Sequence, residues 1–300
     1  MLKRFGFLLL ANLAVFVCLS IVLTVVQMLT GVNFGTMAGS NLNLGALFLF
    51  SMVVGFTGSF ISLLMSKTMA KASMGVEMID VNNPRAGIES WLVEVVRRQC
   101  QKAELPMPEI GVYDGEPNAF ATGPSKNNSM IAVSTGLLRL MSPEEVEAVI
   151  AHELSHVKNG DMVTSTLLQG VMNTFVYFFS RVVGWVIDRV VLRNEDDAPG
   201  VAYYVTSLVL DIVFGILAGM VVAWFSRYRE YHADAGAAQI MGDHRPMVSA
   251  LQRLGTGRPH ELPAALKGFG ISGGIGSLMA SHPSIEDRVR ALEEHRYSAE

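Results

Sequence analysis

Four long segments of this chain are almost free of charge, and that restricts the fold more than any other feature. Phe5 to Leu29 and Leu44 to Met65 carry no charge; Met162 to Ser180 is apolar up to Arg181; Val201 to Phe225 contains only Asp211. Each comes close to or exceeds the ~20 residues that cross a bilayer core as helix. They account for a composition that is 50% hydrophobic and only 17% charged, with a mean hydropathy of +0.36. Lys3-Arg4 before the first segment would suit a signal peptide. The apolar run is longer than such a peptide needs and no small-residue cleavage site follows, so a retained anchor is expected.

The flanking charges set an orientation. Lys3, Arg4, Lys67, Lys71, Arg85, Arg97 and Arg98 flank the first pair of segments, and the loop between them, Thr30 to Asn43, has no charge. Arg227 and Arg229 follow the fourth segment directly. By the positive-inside rule, both termini and the middle section face the cytoplasm. The second pair is less regular. Arg181 and Asp188 could shorten the third segment, so a tightly packed or partly spanning hairpin is an alternative. Asp211 is either a functional intramembrane acid or the partner of Arg181. The chain then reads as a transmembrane hairpin (1–65), a cytoplasmic section (66–161), a second hairpin (162–225) and a C-terminal cytoplasmic section (226–300). Cys18 falls in a span and Cys100 in the cytoplasmic section, so no disulfide is expected. A net charge of −4, with no basic stripe and no glycine-rich phosphate loop, points away from nucleic acid and nucleotide.

Within the middle section stands Ala151-His152-Glu153-Leu154-Ser155-His156. Two histidines four apart share one helix face and can reach one metal ion. Glu153 points about a quarter-turn away, toward the place of an activated water. Zinc with such a water hydrolyses peptide bonds. The helix is well marked. Ser142-Pro143-Glu144-Glu145 supplies an N-cap, a proline at the first position and a capping-box glutamate. Val146, Val149, Ile150, Leu154 and Val157 recur at helical spacing, and Asn159-Gly160 ends the run. The alternative is a solvated pair of histidines on a surface helix.

Ahead of it, Gly87 to Ala103 reads as an amphipathic helix. Glu109 to Tyr113, Asn118 to Thr122 and Met130 to Ser134 read as strands, divided by Asp114-Gly115, Gly123-Pro124 and Asn127-Asn128. Helix, small antiparallel sheet and motif helix is the arrangement of zincin peptidases. An edge strand there can pair with an extended substrate. Asn118, Ala119 and Phe120 are its candidate residues; an ordinary strand beginning beside a turn is the plainer account.

A third ligand is sought after the fourth segment, in Ser226 to Asp234. Glu230 and Asp234 share a helix face. Glu230 is the candidate ligand, and Asp234 the candidate acceptor for a ligand histidine's free ring N–H. The same acids would also serve as a solvated face paired with Arg227 and Arg229. An even number of crossings between His156 and Glu230 returns both to one side of the membrane, which favours the ligand reading.

These motifs together resemble the HtpX family of bacterial membrane-bound zinc metalloproteases, relatives of the CAAX prenyl endopeptidases. The resemblance covers the two N-terminal spans, Asn118 to Gly123, His152 to His156, the second hairpin, Ser226 to Asp234, and Ser281-His282-Pro283 with Arg288. It implies a mainly helical membrane protein with four spans and a zincin-like α+β domain, holding one Zn²⁺ per chain. It implies that His282 and Arg288 meet the substrate carbonyl or the tetrahedral intermediate. A helix start, with Ser284 and Asp287 as its cap, explains those two residues equally simply. It further implies an endopeptidase of the bacterial inner membrane, active on misfolded or damaged membrane proteins under heat stress. A prenyl-protein endopeptidase and a non-catalytic zinc-binding scaffold are the alternatives. Four spans argue against the first and the acid Glu153 against the second. Gly268 to Gly276 reads as a glycine-rich loop or linker.

Overall fold

In the computed structural model, residues 17–34, 42–256 and 280–297 are described. Helices α1 (Val17–Thr30) and α2 (Leu44–Met74) come first, then strand β1 (Glu77–Ile79) and helix α3 (Ile88–Ala103). Strands β2 (Glu109–Tyr113), β3 (Ala119–Ser125) and β4 (Asn128–Ser134) follow, with helices α4 (Thr135–Leu140) and α5 (Pro143–Asn159). Helix α6 (Asp161–Val186) runs into a π-helical turn (Ile187–Val191); α7 (Val201–Met241), α8 (Arg245–Thr256) and α9 (Ile285–Glu293) complete the chain. It divides into two compact units, Met1–Ser62 with Ser165–Val222, and Leu63–Thr164 with Ala223–Glu300.

Among the described residues, three helices are long and apolar enough to cross a membrane: Leu44–Met74, Asp161–Val191 and Val201–Met241. The expectation of four is met only this far. The first segment lies partly outside the described residues, and its described part is the shorter α1. The glycine-rich stretch at 268–276 lies outside them altogether. The helix of the third segment continues past Arg181 and Asp188 to Val191. In this first unit α2 and α6 approach closely. A Cβ built on Gly55 would lie 2.5 Å from Thr174 Oγ1 and 2.8 Å from the Gly170 carbonyl oxygen, so only glycine admits this packing. Asp211 is paired: both its oxygens take hydrogen bonds from Arg181 Nη1, at 2.5 and 2.6 Å. The guanidinium also lies 3.9 Å from the centre of the Tyr177 ring. A Ser207 hydroxyl donates to the Ser180 carbonyl at 3.2 Å, a second tie between α6 and α7.

The second unit holds a four-stranded sheet in the order β1-β2-β4-β3. It is mixed, which corrects the antiparallel expectation. β1 and β3 pair antiparallel with their neighbours, but β2 and β4 run parallel, from Glu109 opposite Met130 to Tyr113 opposite Ser134. The chain leaves β2, forms β3 at the edge, and hairpins back as β4 into the slot beside β2. Six of the seven β4 residues are buried, as a parallel pair covered on its faces demands. The core joins α3, α5, β2, β4 and α8 through Leu92, Ile110, Ile131, Ile150, Leu154 and Leu251, all at 1% exposure or less, and Leu292 of α9 packs against it. Deleting such a side chain to alanine costs about 2–5 kcal/mol. Cys18 and Cys100 are free thiols; burial pushes the Cys100 thiol up to about 11, leaving it unreactive at neutral pH.

Candidate metal centre

Helix α5 is fixed at both ends by its own sequence. The Ser142 hydroxyl accepts from the Glu145 N–H, and the Glu145 carboxylate accepts from the Ser142 N–H, the capping box read from the sequence. Ser249 and Arg253 of α8 also donate to Glu145, at 2.6 and 2.9 Å, so the cap doubles as a brace between helices. At the other end Gly160 takes φ 70°, a left-handed turn that glycine adopts without strain. That turn lets Asp161, the first residue of α6, fold back on the motif.

His152 and His156 stand one turn apart on α5, with Nε2 atoms 3.2 Å from each other. Glu230 of α7 closes the group: its oxygens lie 3.6 Å from His152 Nε2 and 3.4 Å from His156 Nε2. Four ligands about 2.1 Å from one tetrahedral metal stand about 3.4 Å apart, so these three groups match the edges of such a site. His152 is 6% exposed and Glu230 5%. The expected trio is therefore brought together, although Glu230 comes from a separate helix.

The remaining ring nitrogens are also engaged. His156 Nδ1 lies 2.5 Å from Asp161 Oδ2. His152 Nδ1 lies 2.9 Å from Asp234 Oδ1, close but off the straight line of a ring N–H bond. Such contacts orient a ligand imidazole and raise its basicity. Asp234 was foreseen; Asp161 was missed, although an acid directly after a helix-stopping glycine was a usable signal. Arg229 supports Asp161, donating to its carbonyl at 3.3 Å and standing 3.7 Å from its carboxylate.

Arg288, from α9, is 9% exposed and faces inward. Its Nε and Nη2 donate to the two oxygens of Asp234 at 2.8 and 2.6 Å, and its Nη1 lies 3.2 Å from Glu230 Oε2. Arg288 thus binds the acids behind the histidines. His282 is different: its side chain is 64% exposed, with Nδ1 3.0 Å from Glu230 Oε2. Ser284 caps α9 as read from the sequence, accepting from the Asp287 N–H at 3.1 Å.

Burial works against charge on Glu230 and Asp234. His152, His156 and His282 override it at Glu230, and Arg288 at Asp234, so both carboxyls sit below their usual range. Burial also opposes charge on the imidazoles. Asp234 and Glu230 outweigh it at His152, and Asp161 and Glu230 at His156, so both rings are raised. With both imidazoles neutral, as metal ligation requires, the cluster is short of positive charge. Carboxylates of Glu153, Asp161, Glu230 and Asp234 meet the guanidiniums of Arg229 and Arg288, and a divalent cation balances the remainder. Donor types, spacing and charge all fit one.

Glu153 lies beside this group, accepting the Ala121 N–H at 2.8 Å through Oε2. Ala121 belongs to β3, the edge strand, so the outer edge of β3 runs alongside Glu153. Ala119 is half-buried in that strand and packs on the main core. Phe120 turns to the other face, its ring 5.7 Å from that of Tyr113. Asn118 precedes the strand and is held by Ser134, whose hydroxyl accepts its N–H and whose N–H donates to its carbonyl, both at 2.9 Å.

The sequence pattern of peptidase family M48 matches residues 88–296, which include every residue of this centre. A protease HtpX homolog of Acidovorax ebreus is 56% identical over 97% of this chain and 98% of its own. One from Bordetella avium is 52% identical over 99% and 100%. The crystal structure of Ste24p from S. mikatae shares the fold, with a TM-score of 0.62 at 17% identity over 98% of this chain and 67% of that one. The chain belongs to peptidase family M48, among the HtpX proteins, and is a membrane-bound metalloprotease.

Proposed function

We propose that the chain is a zinc-dependent endopeptidase of the bacterial inner membrane, with its centre and both termini on the cytoplasmic side. Its substrates in this reading are misfolded or damaged membrane proteins and unfolded polypeptides, handled as part of stress-related quality control. Two nitrogens and a carboxylate are a donor set suited to zinc with one position left open. The flanking lysines and arginines support the orientation. The observation that carries the reading is the convergence of His152, His156 and Glu230 beside the acid Glu153.

When bound, the cation supplies an activated water and polarises the scissile carbonyl. An extended substrate lies along β3, where main-chain pairing gives affinity with little sequence preference. Glu153, steadied by the Ala121 N–H, takes the proton of the attacking water and delivers it to the leaving amine. His282, the exposed member of the group, donates to the oxygen on which negative charge develops. Arg288 acts through Glu230 and Asp234, holding them against the histidines. Glu153→Gln should lower casein cleavage by the detergent-solubilised protein about 10²–10⁴-fold while metal content stays unchanged. Cleavage at the native rate would overturn the assignment of the base.

A further inference from the structure

Helix α7 carries exposed large apolar residues along its membrane stretch, among them Ile216, Leu217 and Val221. Trp224, 62% exposed, closes that run, and Tyr228, 43% exposed, lies one turn on. Their rings stack at 6.4 Å and 23°. The stripe continues through His232, 4.3 Å from Tyr228, to Tyr297 at 5.2 Å. Beyond Trp224 the sequence turns polar: Ser226, Arg227, Arg229, Glu230. Indole and phenol rings, apolar in body and polar at one tip, settle where hydrocarbon meets headgroups. Their exposure here, continuous with the lipid-facing side of α7, selects the bilayer interface as what covers them.

Trp224 and Glu230 sit on one unbroken helix. Six residues separate them, about 9 Å along the axis. The headgroup layer on each side of the core is about 5–8 Å thick. The anchoring rings therefore hold the metal ligands just outside that layer. We propose that Trp224 and Tyr228 act as a depth gauge: they fix the cleft at the membrane surface, so that the bonds cut are those a few residues beyond the end of a substrate's membrane-spanning segment. At about 3.3 Å per extended residue, about 9 Å corresponds to about three residues past the apolar stretch. The proposal rests on the membrane-polypeptide reading above and adds a position rule to it: distance from the bilayer, rather than sequence, selects the bond.

The test uses the full chain in vesicles of phosphatidylethanolamine and phosphatidylglycerol. Its substrate is a single-span polypeptide with a long polar tail, cut sites being mapped by mass spectrometry. A neutral linker inserted between span and tail should leave the cut at the same distance from the span, now in new sequence. A cut that travels with the original sequence, or scatters along the tail, overturns the proposal. Trp224 fluorescence, taken as the difference from Trp224→Phe, should be quenched more by bromines near the lipid carbonyls than by bromines near the chain ends. Equal or absent quenching removes the anchor. Trp224→Ser with Tyr228→Ser should spread the cut sites while casein cleavage in detergent persists. Loss of casein cleavage by the native chain would instead sink the proteolytic reading, and the quenching would still decide the anchor.

Discussion

Each unit contains an arginine bound to an aspartate through two close N–H···O contacts, and the two pairs differ in what surrounds them. Arg181 and Asp211 form a balanced pair between α6 and α7, with Tyr177 beneath the guanidinium. Arg288 and Asp234 belong to a cluster in which carboxylates outnumber guanidiniums. The balanced pair needs nothing more and ties helices together. The unbalanced one leaves negative charge facing two imidazoles, which is the demand a metal ion answers. The same contact is a fastening in one place and a support for chemistry in the other.

Breaking the fastening should give the largest effect on stability. Asp211→Ala strands the arginine and should cost about 3–5 kcal/mol, read from unfolding in detergent. Replacing both, Arg181→Met with Asp211→Leu, should restore most of that loss. The matching double replacement at Arg288 and Asp234 should not restore metal binding, since His152 would still lack its partner. Equal rescue at the two places would erase the distinction.

Smaller effects should sharpen it. Asp161→Asn removes the charge behind His156 without changing shape, and metal affinity should fall about 10–100-fold; stability of the α6–α7 tie should not move. Unchanged affinity in a metal-buffer titration would make Asp161 a bystander. The pH dependence has a defined sign. His152 and His156 have raised pKa values because neighbouring carboxylates outweigh burial. A cation must displace those protons, so affinity should weaken as pH falls. Calorimetry in buffers of different ionisation heat should register proton release on binding. Affinity that is flat from neutral pH downward would contradict it.

What the sequence disclosed follows the range of the forces involved. The ends of α5 depend on residues three or four apart, so Ser142, Pro143, Glu145 and Gly160 announced them. The i, i+4 pairs His152–His156 and Glu230–Asp234 were legible for the same reason. The parallel pairing of β2 with β4 was not, because no turn residue records which strand a hairpin returns beside. Strand β1, three residues long, has too little pattern to detect. The inward clamp of Arg288 joins residues 54 apart in sequence; a basic residue on a short helix gives no local sign of that. Asp161 was within reach, hidden only because its segment was read as the start of an apolar run.

Metal analysis of the purified chain and two variants decides whether His152, His156 and Glu230 hold an ion. One divalent ion per chain is expected in the parent and in Glu153→Gln, and its loss in Glu230→Gln together with cleavage. A Glu230→Gln protein that keeps its full metal content and cuts casein at the parent rate would contradict it.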